Sequence, residues 1–337
     1  LTTTAKIPDL SKFCSVCARQ SGLDPVGFAY SYEHVVVLEL PLPWPETMYD
    51  QPGVLPQELL EFRRLIVEAY KRGESFSSSS LVMAPDPVYS QEGMRRVISY
   101  KRPNPPFATF EQVEYLVPEG QEGPLAWALL VDNSALPQFA EYLVPERPVR
   151  DIMVCTHGAI DAACAKFGFP TYRHLRGLAD HAEQETRVWR VSHFGGHEFA
   201  PTLLDMPEFR FWAYMDPTVC DSLLFHQGET VMMRDRYRGW AGLGKPVLQV
   251  AERELFVKFG WEWLQFAKSG RIIEQCSEDK PTWYDVQISY SSPDRERQGC
   301  YQMHVEYIGV VDCSYSSKTG ASYAHDQYRV TAIERIS

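Results

Sequence analysis

Residues 154–168, VCTHGAIDAACAKFG, and residues 190–202, RVSHFGGHEFAPT, decide how this chain is read. The first stretch carries Cys155 and Cys164 as C-x8-C; the second carries His193 and His197 as H-x3-H. Two thiols and two imidazoles form a complete four-donor set for a metal centre. Thiolate suits zinc, copper(I) and iron-sulfur clusters, and imidazole suits zinc and iron, so donor chemistry leaves zinc and [2Fe-2S] as candidates.

The flanking residues say how those donors would be presented. Val149 to Val154 reads as a strand with Cys155 at its carboxyl end, where loops of α/β layers build sites. Asp161 is a plausible N-cap for a short helix through Phe167, stopped by Gly168. Cys164 then falls in the first turn, where exposed N–H groups and the helix dipole favour a thiolate. Pro170 opens a second helical run towards Ala182, and Thr186 to Ser192 returns as a strand that delivers His193. The H-x3-H spacing matches the helical H-E-x-x-H of zinc proteases, but the Glu is absent. Two adjacent glycines also cost about 2 kcal/mol of helix propensity, so a tight loop is expected and a protease is not. Gly195 and Gly196 at positive φ would bring backbone N–H groups close to a bound group. His157 is read as a loop residue orienting that group, with fifth ligand as the alternative. Lys166, Arg173 and Arg190 either place positive charge near the site or are ordinary solvated side chains.

Working outward, Val35 to Leu40 is an apolar run that reads as a strand buried on both faces. Pro56 opens an amphipathic helix with Leu59, Phe62, Ile66 and Ala69 on one stripe, and Gly73 stops it. Short strands are expected at 81–84, 95–100, 111–116 and 125–131. Phe209 to Tyr214 and Pro217 to His226 add a strand and a helix after the donor motifs, and Pro246 opens a helix to about Ala267. From Thr282 the pattern alternates like strands, separated by SSPDRERQG and SSKTGAS turns. The fold class is therefore α/β: tandem thioredoxin-like α/β layers with a small C-terminal all-β appendage. The expected units are residues 1–148, without ligands, 149–275, with the donors, and 276–337. The appendage could recognise a partner or cover the site. Cys220, Cys276, Cys300 and Cys313 read as structural thiols. Cys14 and Cys17 form a C-x2-C pair with no preceding strand and no second pair, which favours ordinary thiols near a domain edge over a dithiol redox site or half of a zinc site.

Composition limits the partners. A formal charge of -11 argues against nucleic-acid backbones or anionic membranes, which attract basic surfaces. No long uninterrupted apolar run exists, and the opening LTTTAKIPDLSKF lacks the apolar core of a signal peptide, so a cytoplasmic protein is expected. Eight cysteines in 337 residues do not make a disulfide scaffold.

The two donor motifs, with Tyr237, Arg238 and Gly239 (YRG) and Gln249, Ala251 and Glu252 (Q-x-A-E) downstream, closely resemble the sucrase/ferredoxin-like family. That resemblance implies a thioredoxin-like ferredoxin holding a [2Fe-2S] cluster through Cys155, Cys164, His193 and His197. It implies an electron-transfer protein exchanging single electrons with a redox partner protein. Two neutral imidazoles in place of thiolates ease reduction, as in Rieske centres, and couple the potential to imidazole protonation. The alternatives are a structural zinc protein using the same four residues and a thiol-disulfide oxidoreductase using Cys14 and Cys17. The "sucrase" half of the family name finds no carboxylate pair placed for glycoside hydrolysis.

Overall fold

The computed structural model describes residues 10–278 and 280–337. After a short helix α1 (Cys14–Gln20), two α/β units follow the same plan. The first consists of β1 (His34–Glu39), α2 (Gln57–Lys71), β2 (Ser78–Met83), the hairpin β3 (Met94–Lys101) and β4 (Glu111–Pro118), and α3 (Glu122–Leu130). The second consists of β5 (Arg150–Cys155), α4 (Ala162–Leu178), β6 (Thr186–Val191), β7 (Leu203–Met206), β8 (Arg210–Trp212) and α5 (Pro217–Phe225), extended by β9 (Tyr237–Trp240) and α6 (Pro246–Phe259). In each unit the first strand pairs in parallel with the second across a helical crossover and antiparallel with the third. Both units therefore run strand-helix-strand-strand-strand-helix, a βαβ crossover followed by an antiparallel hairpin and a helix, the plan of a thioredoxin-like layer, present twice.

The two layers are halves of one sheet. Their equivalent edge strands, β2 and β6, meet antiparallel at the single pair Met83–Val191, which gives the order β4-β3-β1-β2-β6-β5-β7-β8-β9. β1 shows why its sequence is apolar from Val35 to Leu38. Val36, Leu38 and Leu40 pack with Leu59 of α2 and Leu125 of α3 on one face. Val35 and Val37 face the other way, into the large core that runs on through Ile152, Trp189 and α6.

Several local expectations change. Residues 125–131 are not a strand: the run belongs to α3. PLAWALL is apolar all round, which fits a buried helix as well as a buried strand, and its Ala and Leu residues favour the helix. α4 does not stop at Gly168 but runs on through Pro170 to Leu178. A Cβ at residue 168 would lie 2.1 Å from the Cys155 carbonyl oxygen, so glycine is there for the close approach of α4 to the end of β5. The helix Pro246–Phe259 is shorter than expected because Gly260, at φ +81°, terminates it. The chain then enters β10 (Ala267–Gln275), which joins β11 (Trp283–Ser291), β12 (Gln298–Ser314) and β13 (Ser322–Arg335) in a four-stranded antiparallel sheet. That sheet packs on α6, and β12 also packs on α1. Among the described residues no helix is long and apolar enough to cross a membrane.

Candidate metal centre

β5 and β6 run parallel side by side, so their carboxyl ends place residues 155 and 193 next to each other. Asp161 caps α4 by accepting from Ala163 N–H at 2.9 Å, which sets Cys164 in the first turn facing the same point. His193 Nδ1 stands 3.9 Å from Cys155 Sγ and 3.8 Å from Cys164 Sγ. All three donor atoms lie within 4.8 Å of one another. Both cysteines are buried, and His193 is half-buried. A hydrogen bond from Cys164 pushes the Cys155 thiol well down against the effect of burial, helped by His193; the Cys164 thiol is pushed well up in return. The pair therefore favours ionisation of Cys155 over Cys164.

His197 follows the tight loop. Gly195 and Gly196 adopt φ of +88° and +79°, the left-handed turn expected of the glycine pair. The His193 and His197 rings are 5.3 Å apart, tilted by 32°. His197 Nδ1, however, faces a second buried group: Cys14 Sγ at 3.6 Å, Asp161 Oδ2 at 3.8 Å and Glu198 Oε2 at 3.9 Å. With Nδ1 turned towards these groups, Nε2 is the nitrogen left for a ligand. Burial lowers the His197 pKa, so the ring is kept neutral, as a ligand must be.

Cys14 is the residue that sequence reasoning left at a domain edge. It is fully buried against His197 and Asp161, 147 residues away in sequence from the latter. Burial pushes its thiol up to about 12. Cys17 faces elsewhere, accepting from Ser314 N–H at 3.5 Å. A protonated, buried Cys14 is a poor nucleophile, which argues against dithiol chemistry at this pair.

The turn between β12 and β13 covers this second group. Ser317 donates its N–H to Asp161 Oδ2 at 2.8 Å and its hydroxyl to Cys14 Sγ at 3.3 Å. The Tyr315 ring packs edge-on against His197 at 4.7 Å. Lys318 reaches the Ala159 carbonyl and pairs with Glu46. Burial alone would raise the Asp161 carboxyl, but the Ser317 and Ala163 hydrogen bonds hold it below the usual range. Of the two roles left open for the C-terminal appendage, covering the site is the one its turn performs.

His157 does not join either donor group. Its Nε2 faces the Trp44 carbonyl at 3.0 Å and its Nδ1 accepts from His193 N–H at 3.4 Å, so it braces the backbone of His193. The downstream motifs are also structural. Arg238 is buried, donates to the Gly195 carbonyl at 3.1 Å and lies over the rings of Tyr30, Phe199 and Phe211. Gln249 ties Ala29 to Leu243, and Glu252 gathers Arg210, Tyr237 and Trp263 in the core.

No curated protein and no solved structure matches this chain. A family model does: the sucrase/ferredoxin-like model spans residues 25–239, both α/β units together and both donor motifs. With more than half of its length covered, this chain belongs to the sucrase/ferredoxin-like family.

Proposed function

We propose that the protein is an electron carrier in which Cys155, Cys164, His193 and His197 hold a [2Fe-2S] cluster. The observation that carries this reading is the buried convergence of two thiol sulfurs on His193 Nδ1, with the Cys155 thiol pushed well down by its hydrogen bond from Cys164 and by His193. Thiolate with imidazole is the donor chemistry such a cluster takes, and a family named for ferredoxins agrees with it. When bound, the cluster supplies a one-electron couple whose potential the two imidazoles raise. The chain's part is to orient and enclose it. Asp161 and Glu198 stand beside the His197 ring at 3.8 and 3.9 Å from Nδ1, His157 fixes the His193 backbone, and Gly195 and Gly196 bend the loop between them. The turn carrying Tyr315 and Ser317 excludes water from the His197 side. A redox partner protein with a basic face suits the acidic chain, and eight free cysteines suit a reducing compartment such as the cytoplasm.

One observation favours a second reading. Three donors within 4.8 Å of one another is the spacing of ligands around one ion, and His197 stands outside that group. A zinc ion held by Cys155, Cys164 and His193 with a fourth donor is therefore the rival. Metal analysis and an absorption spectrum of the purified protein separate them. A red-brown protein containing iron and sulfide, with visible bands bleached by dithionite, is expected; a colourless protein with one zinc per chain overturns the carrier reading. A potential that does not fall with rising pH removes the proposed coupling to imidazole protonation while leaving the carrier in place.

A further inference from the structure

We infer that the crevice beside His193 binds a planar fused-ring carbonyl compound, the chemistry shared by naphthoquinones and isoalloxazines. The nine-stranded sheet is joined at its middle by one residue pair, Met83–Val191. Beyond that pair the halves part, leaving a cavity of about 390 Å³ bounded by Tyr30, Tyr32, Ser79, Ser80, His193 and Phe211. That volume lies within the range of small-molecule sites, and a gap in an α/β sheet beyond strand ends is where such sites form.

The accessible walls are aromatic. Tyr30 and half-buried Tyr32 lie 6.2 Å apart with ring planes tilted by 31°, and behind Tyr32 the buried Phe209 and Phe211 continue the stack at 6.0 and 5.6 Å. Tyr30, 46 % exposed, stands at the mouth against the Gly195 backbone. The facing wall is the free edge of β2. Val82 uses its N–H and C=O on Ser192. By strand alternation, Ser80 presents its own N–H and C=O on that same edge, while the Ser79 hydroxyl, on the other face of the strand, bonds Tyr32. The ring faces of Tyr30 and Tyr32 on one side and free backbone donors and acceptors on the other suit a planar ring system with carbonyl groups on its rim, and do not suit an alkyl chain. The position is suggestive for function. His193 lines the crevice and also turns Nδ1 towards Cys155 and Cys164, so one imidazole separates a bound ring from the two sulfurs. As the exchange face of an electron carrier, the crevice rests on the function proposed above; as a binding site it does not.

Titration of the purified protein with lumiflavin, followed by fluorescence quenching, and with 2,3-dimethyl-1,4-naphthoquinone, followed by calorimetry, tests this. The naphthoquinone is substituted at both ring positions that would alkylate thiols. Saturable one-to-one binding of at least one ring, with Kd of about 100 µM or tighter, is expected. Tyr30→Ala should weaken it by about five-fold or more through lost stacking, and Ser80→Tyr should abolish it by filling the crevice, both variants melting as the parent does. Which ring binds more tightly identifies the source. Binding of neither ring, or binding unchanged by both substitutions, overturns the inference. The same titration on metal-stripped protein keeps the two claims apart. Ring binding by a protein that proves colourless upholds the site and removes the carrier, whereas a red-brown protein that binds no ring does the reverse.

Discussion

Gly196→Ala offers the sharpest check on the loop geometry. Residue 196 sits at φ +79° and ψ +46°, left-handed space that costs an L-residue about 1–2 kcal/mol. Its new Cβ would stand 2.6 Å from Cζ and Nη1 of Arg238 and 2.7 Å from Nη2. A long side chain could ordinarily swing aside. This one is 2 % exposed, lies 4.9 and 5.3 Å from the buried rings of Phe199 and Phe211, and is tied to the Gly195 carbonyl. Forcing it to move adds an overpacking cost of about 1–3 kcal/mol, for a total of about 2–5 kcal/mol. Gly195→Ala is the internal control. The backbone is similar, at φ +88°, and the clash is as close, 2.5 Å from the Tyr30 ring, but Tyr30 is exposed and free to turn outward. That variant should lose only the backbone cost, about 1–2 kcal/mol. Urea unfolding followed by tryptophan fluorescence reads both, with metal content measured on the same samples. Equal losses in the two variants, or a loss under about 1 kcal/mol in Gly196→Ala, would refute the claim that Arg238 is packed immovably under the loop.

Four other perturbations have outcomes set by the structure. Cys164→Ser should lower bound metal or cluster at least ten-fold while leaving far-UV circular dichroism intact, because it removes a donor from the convergent group without opening a core cavity. Asp161→Ala should cost about 2–3 kcal/mol in urea, since it removes the α4 cap and strands the Ser317 N–H; a loss no larger than a surface substitution gives would show that the turn does not depend on it. Glu252→Ala should cost about 3–5 kcal/mol by leaving Arg210 buried without a counter-charge, read as a lowered melting temperature with an unchanged spectrum. Acid should destabilise the fold through His226, whose pKa burial and the nearby Arg150 push down to about 4. The unfolded chain takes up this proton near pH 6.5 and the folded chain only near 4, so stability is complete above 6.5 and falls as pH drops through that window, by about 2 kcal/mol at pH 5. His226→Asn should flatten the pH dependence of urea stability between pH 7 and 5; an unaltered slope would place the acid sensitivity elsewhere.

The chain's local order was enough to place Cys155, Cys164 and His193 together. A strand ending in one cysteine, a cap and a first helical turn carrying the other, and a parallel strand ending in the histidine are short-range features. Parallel pairing of β5 and β6 then aligns their ends with no information from elsewhere. The glycine pair was equally legible, because only backbone freedom explains two glycines between two histidines. What tertiary structure alone decided is everything that crosses a long stretch of chain. Cys14 reaches His197 across 183 residues, Ser317 reaches Asp161 across 156, and Arg238 closes under the loop. Tertiary packing also set how the two layers join: β2 and β6 are adjacent only because both are edge strands of equivalent units, and their brief contact opens the crevice. Periodicity records which face of an element is apolar, but not which distant element will cover it. That choice is made by the packing of whole layers, where Gly168 could be mistaken for a helix stop until α4 was seen pressed against Cys155.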